Sequence, residues 1–320
     1  MVSGALLIDK PAGMTSSQVV SKIKWALINA DYAPKGFKIG HGGTLDPFAT
    51  GALLVFLGEA TKLADTYLHS KKAYDGIITL GSNTDSGDLT GNIQSNAVIP
   101  VLSQSEWQKL SDSFVHSNYL QVPPMFSAKK RDGVPLYELA RRGIEIDREP
   151  ISKKIYSYLV NSRDPEKSEL SFSVQCESGT YIRVLAEDLA KKAGTLAHLK
   201  SLRRIMSSDV LFEQCLPLTE TLDLIDSQSL KIEYFDHFRP LSKLASHIPS
   251  FEISVESSER LWNGIQAEVG ALSAKCLELS LEQRYAIAKQ NSVPIALFER
   301  LKNTGEFRLQ RIFNEARLRD

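Results

Sequence analysis

The sequence predicts an α+β fold, in which a mixed or antiparallel sheet packs against helices and a small β-rich part follows. Two observations support this prediction. Apolar runs of strand length alternate with segments of helical periodicity up to about residue 218. Short alternating strands separated by polar turns then occupy the C-terminal end. An acidic segment containing Pro240 and Pro249 lies between the two parts, so we expect one domain over residues 1–240 and a second over 248–320.

The elements follow from these patterns in chain order. Pro11 and Gly13 end the first strand, and Thr15 or Ser16 caps the helix that follows. The predicted strands of the first part cover residues 5–10, 52–57, 73–81, 151–160 and 168–176. The predicted helices cover residues 16–30, 58–70, 105–118 and 180–193. The predicted C-terminal strands cover residues 250–254, 285–290, 294–301 and 306–313, after a helix in SSERLWNG.

Composition limits the class of protein. With 320 residues, of which 42% are hydrophobic, the chain can build one large core and a smaller one without disulfides. Its three cysteines are widely spaced and form no C-x-x-C pair, which argues against a disulfide framework or a structural zinc site. The N-terminus lacks the pattern of a signal peptide, and no apolar run is long enough to span a membrane. We therefore expect a cytoplasmic protein.

The charge is balanced overall but unevenly distributed. The net charge is zero, with 38 basic and 38 acidic residues. Residues 189–208 carry only basic charges, whereas residues 219–259 are mainly acidic. A local basic surface is compatible with nucleic-acid binding. An ordinary solvated helix end explains the basic stretch equally well.

The segment GHGGTLDPFATG, residues 40–51, places a single carboxylate in a glycine-rich loop. Asp46 followed by Pro47 is a good helix start, because Asp accepts hydrogen bonds from unpaired backbone N–H groups and Pro fits the first helical position. Alternatively, the glycines let a substrate approach the backbone while Asp46 performs chemistry. The buried strand predicted at 52–57 leaves little room for a helix, which favours the second interpretation.

Arg183 occupies an unfavourable position for a cation. In the segment ESGTYIR it falls in the first turn of the predicted helix 180–193, where the helix dipole disfavours positive charge by about 0.3–1 kcal/mol. A carboxylate partner is therefore expected. The candidates are Glu177 and Glu187, which are close in sequence, and Asp46, which is distant.

Several motifs together resemble one family. LLIDKPAGMTS, GHGGTLDPFATG, GEATK, KKAYDGIITLGSNTDSGDLTG, SGTYIR and AHLKSLRR follow one another as in the TruB family of tRNA pseudouridine synthases. The resemblance covers residues 4 to about 218. It implies the pseudouridine synthase fold for the first domain. More weakly, the C-terminal part resembles the family's PUA-type RNA-binding domain.

The resemblance implies an isomerase that acts on the uridine at position 55, in the T-loop of tRNA. The reaction breaks the N1–C1′ bond, rotates the uracil and joins C5 to C1′, with no redox change, no metal and no cofactor. By resemblance Asp46 is the catalytic aspartate, which attacks C1′, adds to C6 of the base or removes a proton from C2′. Arg183 matches the arginine that pairs with it and directs it. Tyr74 matches the tyrosine that stacks on the target uracil.

The resemblance also implies residues that bind the RNA. His41 matches a histidine that stacks where the flipped-out base had been. Tyr181 and Leu202 match residues of the base pocket. Residues 122–143 correspond to a mobile RNA-clamping insertion. Contacts to RNA phosphates are expected from basic residues in this insertion and in the basic stretch: Lys129, Lys130, Arg131, Arg141, Arg142 and Arg203.

Two other classes of function are weighed against this one. An RNA chaperone or binding module could keep the fold without turnover, but that hypothesis is attractive only if a catalytic group is missing. An unrelated glycosidase would need two acidic residues flanking the bond, and the glycine loop offers one. The expected partner is the T-arm of tRNA, with neither a membrane nor a stable protein partner implied.

Overall fold

The computed structural model describes residues 2–115, 117–127, 130–131, 133–144, 146–228, 230–279 and 283–314. The strands of the first part are β1 (Gly4–Lys10), β2 (Ile39–His41), β3 (Thr50–Leu57), β4 (Lys72–Leu80), β5 (Ser82–Thr84), β6 (Ile93–Asn96), β7 (Tyr119–Gln121), β8 (Lys130–Arg131), β9 (Val134–Pro135), β10 (Ile151–Lys153), β11 (Ile155–Asp164), β12 (Glu169–Cys176), β13 (Ala197–Ser207), β14 (Val210–Leu211), β15 (Leu216–Pro217) and β16 (Phe238–Pro240). Four further strands near the C-terminus are β17 (Ser250–Glu252), β18 (Tyr285–Gln290), β19 (Val293–Arg300) and β20 (Phe307–Ile312).

The helices lie between these strands. The α-helices are α1 (Ser16–Asn29), α2 (Ala64–Leu68), α3 (Gln104–Asp112), α4 (Leu136–Arg141), α5 (Ile182–Lys192), α6 (Leu218–Asp226), α7 (Leu241–Leu244), α8 (Val255–Trp262) and α9 (Gln266–Cys276). Short 3-10 helices cover Gly58–Leu63, Phe212–Gln214 and Ile232–Tyr234. Within the described residues, no helix is long and apolar enough to cross a membrane.

A large mixed sheet forms the centre of the first part. Its strand order is β11-β12-β4-β13-β3-β1-β15, with β2, β14 and β16 paired at the sides. The pairs β13–β3 and β1–β15 are parallel, and the other pairs are antiparallel. The predicted α+β class with a mixed sheet is confirmed.

The apolar run at β3 is explained by burial on both faces. Leu53, Val55 and Leu57 point into a cluster shared with α1 and α6. Leu54 and Phe56 point into the opposite cluster, which includes α7 and the C-terminal strands. Because successive strand residues face opposite sides, a strand covered on both faces must be apolar throughout.

Helix α1 begins where the sequence predicts. The Thr15 side chain accepts the Gln18 N–H, and the Gln18 side chain accepts the Thr15 N–H, which is a complete capping box. Val19, Ile23 and Leu27 are fully buried on one face. This helix therefore covers one face of β3, and its first residue, Ser16, binds Leu45 of the glycine loop.

The basic stretch forms a strand, which the sequence analysis did not predict. Residues 197–207 are β13, which lies between β4 and β3 in the main sheet. Register shifts at Leu199/Ser201 and Arg204/Met206 interrupt the regular alternation of its side chains. The alternative of an ordinary solvated helix end is therefore wrong for this part of the stretch. The predicted helix 105–118 is also shorter, ending at Asp112.

The C-terminal strands form a separate sheet of order β17-β18-β19-β20, as predicted. Its Ile287, Leu297 and neighbouring Phe313 pack in one cluster with Leu7 and Phe56 of the main sheet. The two sheets therefore share a buried apolar contact.

Candidate active site

The glycine loop holds Asp46 without a helix. Residues 47–48 form a turn, in which the Ala49 N–H donates to the Asp46 carbonyl at 3.1 Å, and β3 begins at Thr50. Ser16 Oγ accepts the Leu45 N–H at 2.9 Å and fastens the loop to α1. The interpretation of Asp46 as a helix cap is therefore wrong. Its side chain is 34% exposed and lies at the wall of a pocket.

Arg183 binds the Asp46 carboxylate with two hydrogen bonds. Its Nε donates to Asp46 Oδ2 at 2.8 Å, and its Nη2 donates to Asp46 Oδ1 at 3.2 Å. A two-point guanidinium–carboxylate pair fixes direction as well as distance. Of the three candidate partners, Asp46 is the one that forms the ion pair, so this predicted pairing is confirmed in the structure.

Two further N–H groups of Arg183 bind backbone carbonyls. Nη1 donates to the Ser86 carbonyl at 2.6 Å, and Nη2 donates to the Phe126 carbonyl at 2.8 Å. Only 4% of the side chain is exposed. The guanidinium therefore cannot rotate without breaking contacts to three separate segments, and it orients Asp46 rigidly.

A second carboxylate stands behind Arg183. Asp88 Oδ2 lies 3.9 Å from Arg183 Nε, and Asp88 is itself buried. Its Oδ1 accepts the Thr90 N–H at 2.9 Å and the Ser86 hydroxyl at 3.0 Å. These bonds hold the loop that presents the Ser86 carbonyl to Arg183.

Two buried cations hold the backbone of the glycine loop. Lys10 Nζ donates to the carbonyls of Met14 and Pro47, at 2.6 and 3.2 Å, and burial lowers the pKa of Lys10 to about 8. Arg204 donates to the carbonyls of Gly43, Thr44 and Ala52. Cationic donors on carbonyl oxygens fix the loop, so the position of Asp46 is set from both ends of the segment.

A cavity of about 270 Å³ opens beside Asp46. This is close to the lower end of the range for small-molecule sites, about 300 Å³. Tyr74, Tyr181 and Leu202, the residues that the family resemblance assigned to a base pocket, all line this cavity. Burial raises the pKa of Tyr74 to about 12, with Arg204 acting in the opposite direction. The pocket therefore combines aromatic walls with one directed carboxylate.

Gln121 fixes the start of α5. It is fully buried, and its amide binds both the N–H and the carbonyl of Tyr181, at 2.7 and 3.0 Å. Because Tyr181 precedes the first residue of α5, this bidentate contact positions Tyr181 and Arg183 together.

The other predicted residues lie in different settings. His41, at the end of β2, accepts the Gly43 N–H at 3.4 Å beside the loop, and burial lowers its pKa. Arg203 is committed to the protein: it pairs with Asp9 at 2.8 Å and stacks over the Phe212 ring at 3.8 Å. Arg142 is exposed. Lys129 lies outside the described residues, as do the side chains of Lys130, Arg131 and Arg141.

Sequence reasoning missed four residues that build this site: Lys10, Asp88, Gln121 and Arg204. Lys10 gave a signal, since it is the charged end of an apolar strand that is followed by proline. Arg204 lies among other basic residues and Asp88 among other polar residues, so neither is distinctive in the sequence. Their importance depends on burial, which the sequence alone does not reveal.

One directed carboxylate, a buried arginine and an aromatic pocket on a mixed sheet form a site whose groups are suited to nucleophilic or base chemistry. The comparisons agree with this class of chemistry. Residues 31–182 match the model described as "TruB family pseudouridylate synthase (N terminal domain)". The chain belongs to the TruB family of pseudouridylate synthases, which are isomerases that convert uridine to pseudouridine.

Curated relatives cover most of the chain. "tRNA pseudouridine synthase B" of Psychrobacter cryohalolentis is 40% identical over 84% of this chain and 72% of its own length. The protein of the same name from Syntrophotalea carbinolica is 33% identical over 98% of this chain and 99% of its own. Among solved structures, the "Crystal Structure of a Cbf5-Nop10-Gar1 Complex" contains a chain with a TM-score of 0.68 at 21% identity, covering 97% of this chain and 84% of that one. This likeness concerns the fold.

Proposed function

We propose that this chain converts the uridine at position 55, in the T-loop of tRNA, to pseudouridine in the cytoplasm. The observation that carries the proposal is the two-point Arg183–Asp46 pair beside the pocket that Tyr74 lines. The names of the relatives, tRNA pseudouridine synthase B, support tRNA as the substrate.

In this proposal Asp46 acts at the ribose of a flipped-out nucleotide. The N1–C1′ bond breaks and its electron pair leaves with the uracil. The uracil rotates, C5 bonds to C1′, and the proton on C5 is lost while N1 gains one, so the product is an isomer of the substrate. Arg183 keeps the Asp46 carboxylate pointed at the reacting carbon. Asp46 then serves as nucleophile or base.

The pocket walls would hold the base during this rotation. In this proposal Tyr74 stacks on the uracil, while Tyr181 and Leu202, which also line the pocket, contact it as well. A nucleotide in a folded loop must first leave its stack, which costs a few kcal/mol. His41, at the end of β2, is proposed to offset that cost by stacking in the vacated position.

Further RNA contacts are proposed outside the pocket. Residues 122–143 would clamp the T-arm, and Arg142 is an exposed cation of that segment. A phosphate contact by Arg203 would have to compete with its bond to Asp9. The proposed domains are a catalytic one over residues 1–240 and a PUA-like RNA-binding one over 248–320, supported by the separate C-terminal sheet.

The direct test uses the full chain and an unmodified tRNA transcript. Pseudouridine is mapped chemically at every uridine, with a transcript carrying cytidine at position 55 as the control. The proposal predicts one modified uridine in the first transcript and none in the second. Modification at other positions would refute the T-loop assignment. Binding without any modification would favour the chaperone class.

A further inference from the structure

Lys72 lines the pocket, but the proposed reaction assigns it no role. It is two residues before Tyr74 on β4, so both side chains project from the same face of the strand. Both line the cavity beside Asp46. Only 3% of Lys72 is exposed, which is unusual for a lysine outside an ion pair.

The ammonium group of Lys72 donates two hydrogen bonds to described residues of the protein. Nζ donates to the Tyr67 carbonyl at 2.7 Å and to Ser70 Oγ at 2.8 Å. An ammonium group carries three donors, so with respect to the described residues a third N–H remains for a group that enters the pocket.

Arg204 lines the same cavity as Lys72, and both side chains lie close to Gly43. A Cβ built on Gly43 would lie 3.8 Å from Lys72 Cε and 3.6 Å from Arg204 Nη1, so both side chains flank the bare backbone of this glycine. Gly43 has a φ of +136°, a conformation that favours glycine. The glycine therefore leaves open a space bordered by two cations.

Neither cation has a carboxylate in an ion pair within the described part of the chain. Arg204 binds three carbonyl oxygens, and Lys72 binds one carbonyl and one hydroxyl. Two like charges buried side by side destabilise each other, and buried charges normally have partners. Consistent with this, burial and Arg204 lower the pKa of Lys72 to about 7. A negatively charged group of a bound molecule would balance the charges of Lys72 and Arg204.

We propose that Lys72, supported by Arg204, is a further catalytic residue, whose ammonium group stabilises the negative charge on a uracil carbonyl oxygen as the N1–C1′ bond breaks. This inference rests on the proposed isomerisation. The electron pair of the broken bond passes to N1 and delocalises onto the carbonyl oxygens of the ring. The charge disappears when C5 attacks C1′, so Lys72 donates a hydrogen bond and transfers no proton.

The geometry favours the base over an RNA phosphate as the source of this charge. Asp46 and Arg183 define the end of the pocket at which the ribose reacts. Tyr74 marks the position of the ring, and Lys72 shares its strand face. A donor beside the stacking residue reaches the edge of the base. Preorganised donors at developing charge commonly contribute about 100- to 1,000-fold in rate.

The test measures the single-turnover rate at saturating tRNA, and separately the affinity for tRNA, in Lys72→Met and the wild type. The expected result is a rate loss of about 100-fold with affinity nearly unchanged. Lys71→Met is the matched control, since Lys71 is exposed and lies over the Tyr156 ring. A weakened affinity with an unchanged saturating rate would make Lys72 a phosphate contact and overturn the proposal.

A second variant separates charge from packing. Lys72→Arg keeps a cation that stays protonated at all working pH values, whereas Lys72 loses its charge as pH rises. Arg204 on β13 and Cys176 on β12 are the groups on neighbouring strands that influence the pKa of Lys72, and Tyr74 shares its strand face. The wild-type rate should fall on the alkaline side, and the Lys72→Arg rate should not. Identical pH profiles would mean that Lys72 is only structural. If the wild type forms no pseudouridine at all, the result refutes the proposed function itself.

Discussion

Arg183 commits every one of its hydrogen-bonding nitrogens to the protein, two of them to Asp46. At this scale the position of Arg183 in the first turn of a helix predicted a carboxylate partner, and the family resemblance indicated that this partner is Asp46. The sequence did not predict Asp88, Gln121 or Arg204, whose roles arise from burial between distant segments. A local sequence pattern identifies Arg183 as a cation in an unfavourable position, whereas only the fold shows which groups surround it.

The two-point geometry of Arg183 is expected to matter beyond its charge. In Arg183→Lys the positive charge remains, but a lysine cannot bind both Asp46 oxygens and two carbonyls in one plane. We expect a loss of about 100-fold in single-turnover rate, the effect of misdirecting a reacting group. Arg239→Lys is the matched control. Arg239 is also buried, and it forms an ion pair of 2.8 Å with Asp209, which does not line the pocket. Equal rate losses in both variants would refute the specific role.

Glu187 gives the fold a pH dependence. Burial raises the pKa of Glu187 from 4.5 to about 7, while Arg183 lowers it and Asp188 raises it. The folded chain thus holds this proton more tightly than the unfolded chain, so stability falls as pH rises from about 4.5 to about 7. Glu187→Gln should remove that fall, as measured by denaturant unfolding at several pH values. Glu259→Gln, at an exposed position, should leave the profile unchanged. A wild-type stability that rises over this range relative to Glu187→Gln would contradict the assignment.

At the scale of elements, the contact between β3 and β13 places the glycine loop. The two strands are parallel where Arg203 and Arg204 face Thr50 and Gly51. Sequence periodicity predicted β3 because it is apolar throughout, but it could not predict β13. The register shifts and the buried Arg204 hide the alternation that marks a strand. A buried arginine on a central strand is explained by the carbonyls it binds, which lie elsewhere in the sequence.

Gly51 should be essential to this contact. It has a φ of +104°, and a Cβ there would lie 2.3 Å from the Arg204 carbonyl oxygen. We expect Gly51→Ala to lower the free energy of unfolding by at least about 2 kcal/mol, through strain and overpacking. Gly40→Ala is the control, because Gly40 has no neighbour within 4 Å of a built Cβ. Chemical denaturation of both variants is the measurement, and equal stabilities would contradict this account of the loop.

At the scale of the whole molecule, the small C-terminal sheet is joined to the main sheet by a common apolar cluster. The sequence predicted both sheets, and the boundary segment between them stays a prediction. The sequence could not predict the contact, because alternating strands identify a buried face without identifying what covers it. The shared cluster implies that the two parts stabilise each other.

Cooperative unfolding is the expected consequence. Leu297 is fully buried in the shared cluster, so Leu297→Ala should cost about 2–5 kcal/mol. Calorimetry should show a single transition that shifts to lower temperature as a whole. Leu159→Ala, at a half-exposed position on β11, should shift it little. Two transitions, only one of which moves, would show that the parts unfold independently.

The most direct test of the central claim is the conversion of tRNA by Asp46→Asn. Asparagine keeps the size of Asp46 and can still contact Arg183, but it provides neither a nucleophile nor a base. Pseudouridine formation and tRNA affinity are measured side by side with the wild type. The account predicts a rate loss of at least about 1,000-fold, with affinity within about a few-fold of wild type. An Asp46→Asn variant that still forms pseudouridine at a rate close to wild type would contradict it.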